Sequence, residues 1–150
     1  LFTAEPRRDL SARPIPCRQV GVQAQRAGAG ARRVLVVEDD ADVSALLASH
    51  LHRLGLDVVE ADSGERGLEF ATADPPDVVF VDMVLPGMDG GEVVAALRAD
   101  ERTRSCRIVF TSVLDPTDFT GLPFDALLPK PFTRRDVARL LAALDGSAAR

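Results

Sequence analysis

Residues 78–87 read Val78-Val79-Phe80-Val81-Asp82-Met83-Val84-Leu85-Pro86-Gly87. Four apolar residues in succession, three of them valine, describe a strand buried on both faces. A carboxylate follows, then two more apolar residues, then Pro86-Gly87 to break the strand. A charge at the carboxyl end of a buried parallel strand lies where open α/β sheets place their ligands. Taken alone, Asp82 reads as an ordinary strand-end aspartate. It is not alone. Val34-Leu35-Val36-Val37 is a second such strand and runs into Glu38-Asp39-Asp40. Arg107-Ile108-Val109-Phe110 is a third and runs into Thr111-Ser112. Ala126-Leu127-Leu128 is a fourth and ends in Pro129-Lys130-Pro131.

Helical periods separate these strands. Asp40 or Asp42 caps a helix with Val43, Leu46, Leu47, Leu51 and Leu54 as its apolar stripe, and Gly55 ends it. Asp57-Val58-Val59-Glu60 is a short fifth strand. Ser63-Gly64 opens a helix from about Glu65 to Ala73, which Asp74-Pro75-Pro76 stops. Asp89 caps a third helix, with Val93, Val94 and Leu97 facing inward. Thr133 caps a last one, with Val137, Leu140, Leu141 and Leu144 on one face and Gly146 at its end. Between Thr111 and Lys130 the segment 115–123 holds two prolines and a glycine, so the helix expected there is reduced or irregular. Strands alternating with helices give an α/β fold, a parallel five-stranded sheet covered on both faces.

Composition sets the outer bounds. A chain of 150 residues with 46% hydrophobic content fits one domain with a sizeable core. No apolar run approaches the roughly 20 residues of a membrane span. No signal-peptide pattern opens the sequence, so a cytoplasmic location and no membrane contact are expected. Residues 1–31 hold five arginines against Glu5 and Asp9, with Pro6, Pro14, Pro16 and an Ala/Gly run, and read as a tail or linker. The folded unit is expected over 32–146, with 147–150 as a short tail. The net charge is −5, and because residues 1–31 contribute +3, residues 32–150 carry −8. That acidic body, with no Trp or Tyr, argues against direct nucleic-acid binding. Cys17 and Cys106 read as free thiols outside any metal spacing. His50 and His52 have no partner at ligand spacing and read as surface or satisfied side chains.

In a parallel sheet the strand exits share one edge. Glu38, Asp39, Asp82, Thr111 and Lys130 therefore meet there. Carboxylates crowded together repel unless a cation joins them, and hard oxygen ligands with room for water suit Mg²⁺. Lys130 is the only lysine in the chain. It supplies a compact ammonium, which a guanidinium does not replace. Thr111 offers a hydroxyl to a phosphoryl oxygen. Together they fit phosphoryl transfer to Asp82 as an aspartyl phosphate.

The chain from about Arg32 to Asp145 resembles the receiver domain of two-component response regulators. The resemblance rests on Val34-Leu35-Val36-Val37-Glu38-Asp39-Asp40, on residues 81–90 from Val81-Asp82-Met83 to Met88-Asp89-Gly90, on Thr111-Ser112 and on Lys130-Pro131-Phe132. It implies a flavodoxin-like sheet of order 2-1-3-4-5 and a phosphoacceptor role for Asp82. The donor would be a phosphohistidine on a sensor histidine kinase or phosphotransfer protein. Asp39, Asp82 and the backbone carbonyl of Val84 would hold Mg²⁺, with Glu38 acting directly or through water. Lys130 would bridge first to Asp82 and then to the phosphoryl oxygen, toward which Thr111 moves. Pro131 would follow Lys130 through a cis peptide bond. Such a domain catalyses only its own phosphorylation and dephosphorylation. It is expected to stand alone or to be the terminal receiver of a hybrid kinase, and a homodimer is open at this point. Leu127 departs from the family, whose switch aromatic falls three residues before the lysine. That departure keeps an alternative in view, a degenerate receiver acting as a phosphorylation-independent interaction module. A phosphatase with an aspartyl nucleophile is a third reading, and Val84 stands where its second acid is wanted.

Overall fold

The computed structural model describes residues 32–113 and 121–148. The readings of residues 1–31 and of Asp115–Thr120 lie outside the described residues. The elements in chain order are β1 (Arg33–Val37), α1 (Ala41–Arg53), β2 (Asp57–Ala61), α2 (Gly64–Ala73), β3 (Val78–Asp82), α3 (Gly90–Ala99), β4 (Arg107–Ser112), β5 (Ala126–Pro129) and α4 (Arg134–Ala148). All strand pairs are parallel, and the sheet order is β2-β1-β3-β4-β5. This is the flavodoxin-like order expected from the sequence. Among the described residues no helix lies between β4 and β5.

The valine-rich strands work because both of their faces are covered. Alternate residues go to opposite layers. Val34, Val36, Val58, Val78, Phe80, Val109 and Leu128 pack with α1 and α4. Leu35, Val37, Val79, Val81, Ile108 and Phe110 pack with α2 and α3. Every residue of β3 is buried, Asp82 included. A strand that must satisfy two layers cannot alternate apolar and polar, which is why these strands read as unbroken apolar runs.

The helix starts follow capping chemistry. The Asp40 carboxylate accepts from the N–H groups of Asp42 and Val43. The Ser63 side chain accepts from Arg66 N–H. Asp89 and Glu92 form a reciprocal capping box at α3. Thr133 and Asp136 do the same at α4, where the Asp136 carboxylate accepts from Thr133 N–H at 2.8 Å and Asp136 N–H donates to the Thr133 hydroxyl at 3.2 Å.

Two expectations need correction. Leu46 and Leu54 do not join the core stripe of α1, being 47% and 38% exposed. Ser44 and Ala48 take the buried positions beside Leu47 and Leu51, because α1 lies close against β2 and the Ser44 hydroxyl donates to the Glu60 carboxylate. The last helix does not stop at Gly146 but runs to Ala148. Glycine weakens a helix by about 1 kcal/mol without forbidding it.

Candidate functional site

β1 and β3 are neighbours from which the chain leaves in opposite directions, to β2 and to β4. That divergence opens a crevice at their carboxyl ends. Glu38 and Asp39 follow β1, and Asp82 ends β3. Oxygen atoms of these three carboxylates lie within 4.8 Å of one another. Glu38 and Asp82 are buried, and Asp39 is exposed at the mouth. Thr111 pairs with Asp82 in the β3–β4 register, and its carbonyl accepts from Met83 N–H at 3.4 Å. Lys130 follows β5, its N–H held by the Ser112 carbonyl at 2.9 Å. The Lys130–Pro131 peptide is cis.

The ammonium of Lys130 lies 2.7 Å from Glu38 Oε2 and 3.4 Å from Asp82 Oδ2. In this state Glu38, more than Asp82, is its closer partner. The reason lies in the turn after β1. Asp40 N–H donates to Glu38 Oε1 at 3.1 Å, which fixes the buried carboxylate and leaves Oε2 facing the lysine. On the other side, Asp82 Oδ1 accepts from Val84 N–H at 3.3 Å. Burial opposes the charged form of Lys130, but the Glu38 hydrogen bond and the Asp82 and Glu38 charges outweigh it and raise the pKa above its ordinary value. The ammonium is therefore charged throughout the physiological range.

One cation against three close carboxylates leaves the crevice short of positive charge. The donor set is all hard oxygen, and Asp39 receives no hydrogen bond from any described residue. Such a set suits a small divalent ion that keeps waters in its shell. Val84 and Val113 stand at the rim, 62% and 75% exposed.

Sequence reading missed two features. Gly90 packs against the phosphoacceptor candidate's own backbone, since a Cβ there would lie 2.5 Å from the Asp82 carbonyl oxygen and 2.7 Å from Met83 Cα. The signal was Gly90 itself, quoted above only as the last residue of the 81–90 motif. The second is Arg98, whose guanidinium donates to the carbonyls of Arg104, Cys106 and Pro123 and to Asp125 Oδ2. Asp125 in turn accepts from Ile108 N–H at 2.7 Å. This knot holds the described part of the β4–β5 connection, and no local sequence pattern announces it.

Comparisons with known proteins agree with the geometry. Residues 34–142 match the family model described as the response regulator receiver domain. Among curated relatives, the transcriptional regulatory protein PrrA of Mycobacterium tuberculosis is 40% identical over 121 residues, covering 78% of this chain and 52% of that protein. The alkaline phosphatase synthesis transcriptional regulatory protein PhoP of Bacillus subtilis is 34% identical over 116 residues, covering 75% and 48%. The chain thus spans about half the length of the curated relatives it matches. Among solved structures, the receiver domain of sensor histidine kinase PA1611 from Pseudomonas aeruginosa, with a magnesium ion in its active-site cleft, is 25% identical, with a TM-score of 0.69 and coverage of 75% and 95%. The chemotaxis protein CheY4 of Vibrio cholerae shares the fold at a TM-score of 0.72, 24% identity and coverage of 76% and 98%.

Proposed function

The chain belongs to the response regulator receiver domain family, and on that premise we propose that it is a phosphorylation-activated switch whose acceptor is Asp82. One observation carries the reading: the sole lysine reaches both Glu38 and Asp82 across the crevice, at 2.7 and 3.4 Å. A degenerate domain kept only for its shape has no need of that contact.

The roles follow from position. Asp82 presents a carboxylate oxygen to an incoming phosphorus, while the backbone N–H of Val84 holds the other oxygen. Glu38, Asp39 and Asp82, with the carbonyl of Val84, are the groups that would hold Mg²⁺. The ion, when bound, neutralises charge on the transferring phosphoryl group. Lys130 is poised to pass from carboxylate to phosphoryl oxygen. Thr111, beside Asp82 in the register, supplies the hydroxyl that recognises the modified state. The phosphoryl donor is a phosphohistidine on a sensor kinase or phosphotransfer protein. The domain acts on no other substrate, and its acidic surface makes no direct contact with nucleic acid.

Acetyl phosphate with Mg²⁺ tests this. We expect stoichiometric acid-stable, base-labile labelling of the wild type and none of Asp82→Asn. Labelling that persists in Asp82→Asn would overturn the assignment.

A further inference from the structure

Ser44 is a hydroxyl on the core side of α1, 5% exposed, where it shares the buried positions with Leu47, Ala48 and Leu51. Alanine would suit the helix better there. A buried hydroxyl also costs free energy unless it is bonded. The bond that Ser44 makes leaves the helix and ends on β2, at Glu60 Oε1, 2.7 Å away. A hydroxyl donating to a carboxylate at that distance is a charge-assisted bond, about twice as strong as a neutral one. Glu60 stands on the α1 side of the sheet, because its register partner Val36 and Val58, two residues before it, belong to the core layer that α1 covers. A carboxylate and a hydroxyl thus take two places that apolar side chains could fill.

Both ends of this bond lead to the acidic turn after β1. Ser44 N–H donates to the Asp40 carbonyl at 2.9 Å, and Asp40 N–H donates to Glu38 Oε1 at 3.1 Å. Ala61, next after Glu60, accepts from Glu38 N–H at 3.0 Å. Residues 38–40 are therefore held by β2 at their start and by α1 at their end. The Ser44–Glu60 bond closes the ring between these two anchors. If α1 slid along β2, the turn would be sheared and its carboxylates would move with it. Asp39 lies mid-turn with its side chain exposed at the mouth, so the backbone on either side places its carboxylate. Mg²⁺ is intolerant of such drift, since it demands near-octahedral oxygen ligands at about 2.0–2.1 Å.

We propose that Ser44 and Glu60 are positioning residues for Mg²⁺ in this crevice, their hydrogen bond fixing α1 against β2 so that Glu38 and Asp39 keep their places beside Asp82. The inference deepens the phosphoacceptor reading and takes its metal from that reading. The hydrogen bond carries the effect, and the charge of Glu60 does not.

The metal alone is the first probe, added to the full chain and followed by titration calorimetry. Ser44→Ala removes the bond and no charge. Its Kd for Mg²⁺ should rise about fivefold, less than the roughly 10–100-fold that losing a direct partner of a metal ligand costs. Glu60→Ala should do the same, and the double variant should be no worse than either single one, because the second change finds the bond already gone. Glu60→Gln keeps an acceptor for the hydroxyl without the charge, and should stay within about twofold of wild type. Acetyl phosphate should label Ser44→Ala more slowly than wild type at Mg²⁺ below Kd and equally fast once Mg²⁺ is saturating. A simple staple between helix and strand would lower the melting temperature and leave Mg²⁺ affinity unchanged, and that result would overturn the proposal. So would a Glu60→Gln loss as large as that of Glu60→Ala, which would assign the effect to charge, or a labelling rate that saturating Mg²⁺ does not restore. A wild type that binds no Mg²⁺ would also overturn it. Labelling absent from the wild type, with the affinities changing as expected, would sink the phosphoacceptor reading and leave the positioning pair in place.

Discussion

At the scale of single residues, Glu38 is the side chain with most to answer for. It is buried, tied to Asp40 N–H on one oxygen and to the Lys130 ammonium on the other. Glu38→Gln keeps the shape, removes one of the clustered carboxylate charges and loosens the lysine. Mg²⁺ affinity should fall about tenfold or more, or roughly 1.4 kcal/mol, by titration calorimetry. If the cluster holds Mg²⁺ as proposed, the ion should stabilise the fold measurably. At Mg²⁺ roughly a hundredfold above Kd the folded state gains about 2.7 kcal/mol. Chelation should remove this as a fall in melting temperature, and Asp82→Asn should show little such shift. Val84 and Val113 at the rim carry no group able to orient an attacking water. The aspartyl phosphate should therefore persist for hours rather than seconds in Mg²⁺, as followed by loss of acid-stable label. Cys106 is a different case. Burial pushes its thiol up to about 11 from an ordinary value near 9. The unfolded thiol ionises first as pH rises, so the folded state holds the extra proton between those values. Stability contributed by keeping the thiol neutral is intact below pH 9 and falls by some 2–3 kcal/mol on the way to pH 11. A thiol reagent at pH 8 should find Cys106 unreactive until the chain is unfolded.

Elements explain which parts of the sequence could be read in advance. The strands were plain because burial on both faces demands unbroken apolar runs, and the caps Ser63, Asp89 and Thr133 were plain because capping is local chemistry, while at α1 the sequence left Asp40 and Asp42 as alternatives and the structure uses Asp40. α1 was misjudged at Leu46 and Leu54 because a helical stripe gives a direction but not its width, and the close approach of β2 favoured Ser44 and Ala48 instead. Arg98 was invisible because its acceptors come from two separate stretches of chain, 104–106 and 123–125, which only the folded sheet assembles. Gly90 shows how tightly α3 is seated against the backbone of the candidate site. Gly90→Ala would drive a methyl group into the backbone of Asp82 and Met83, neither of which has a rotamer to yield. A loss of about 2–3 kcal/mol is expected. That corresponds to a melting temperature roughly 5–10 °C lower by calorimetry.

For the whole molecule, the carboxylates, hydroxyl and lysine of the candidate site were legible because parallel strands place all their exits on one edge, whatever the distance in sequence. The spacing between the side chains was not legible. Nothing in the order of residues says that Lys130 comes nearer to Glu38 than to Asp82. The Arg98–Asp125 knot bears on how a signal leaves the site. It binds the start of β5 to α3 and β4 through a guanidinium and a carboxylate, each with several partners. Leu127, two residues after Asp125, stands where the resemblance places an aromatic side chain. Phosphorylation should therefore disturb the amides of 122–127 less than those after β1 and β3, as read from chemical shifts on adding a beryllium fluoride analogue.

Because every other basic side chain long enough to reach a partner is a guanidinium, the molecule owns one ε-amine, and it stands 17% exposed between two acids. Acylating reagents that scatter over most protein surfaces have here a single side-chain target. Their rate of attack becomes a chemical gauge of what occupies the crevice: slow while the carboxylates hold the amine as an ammonium, and slower still once a phosphoryl group has claimed it.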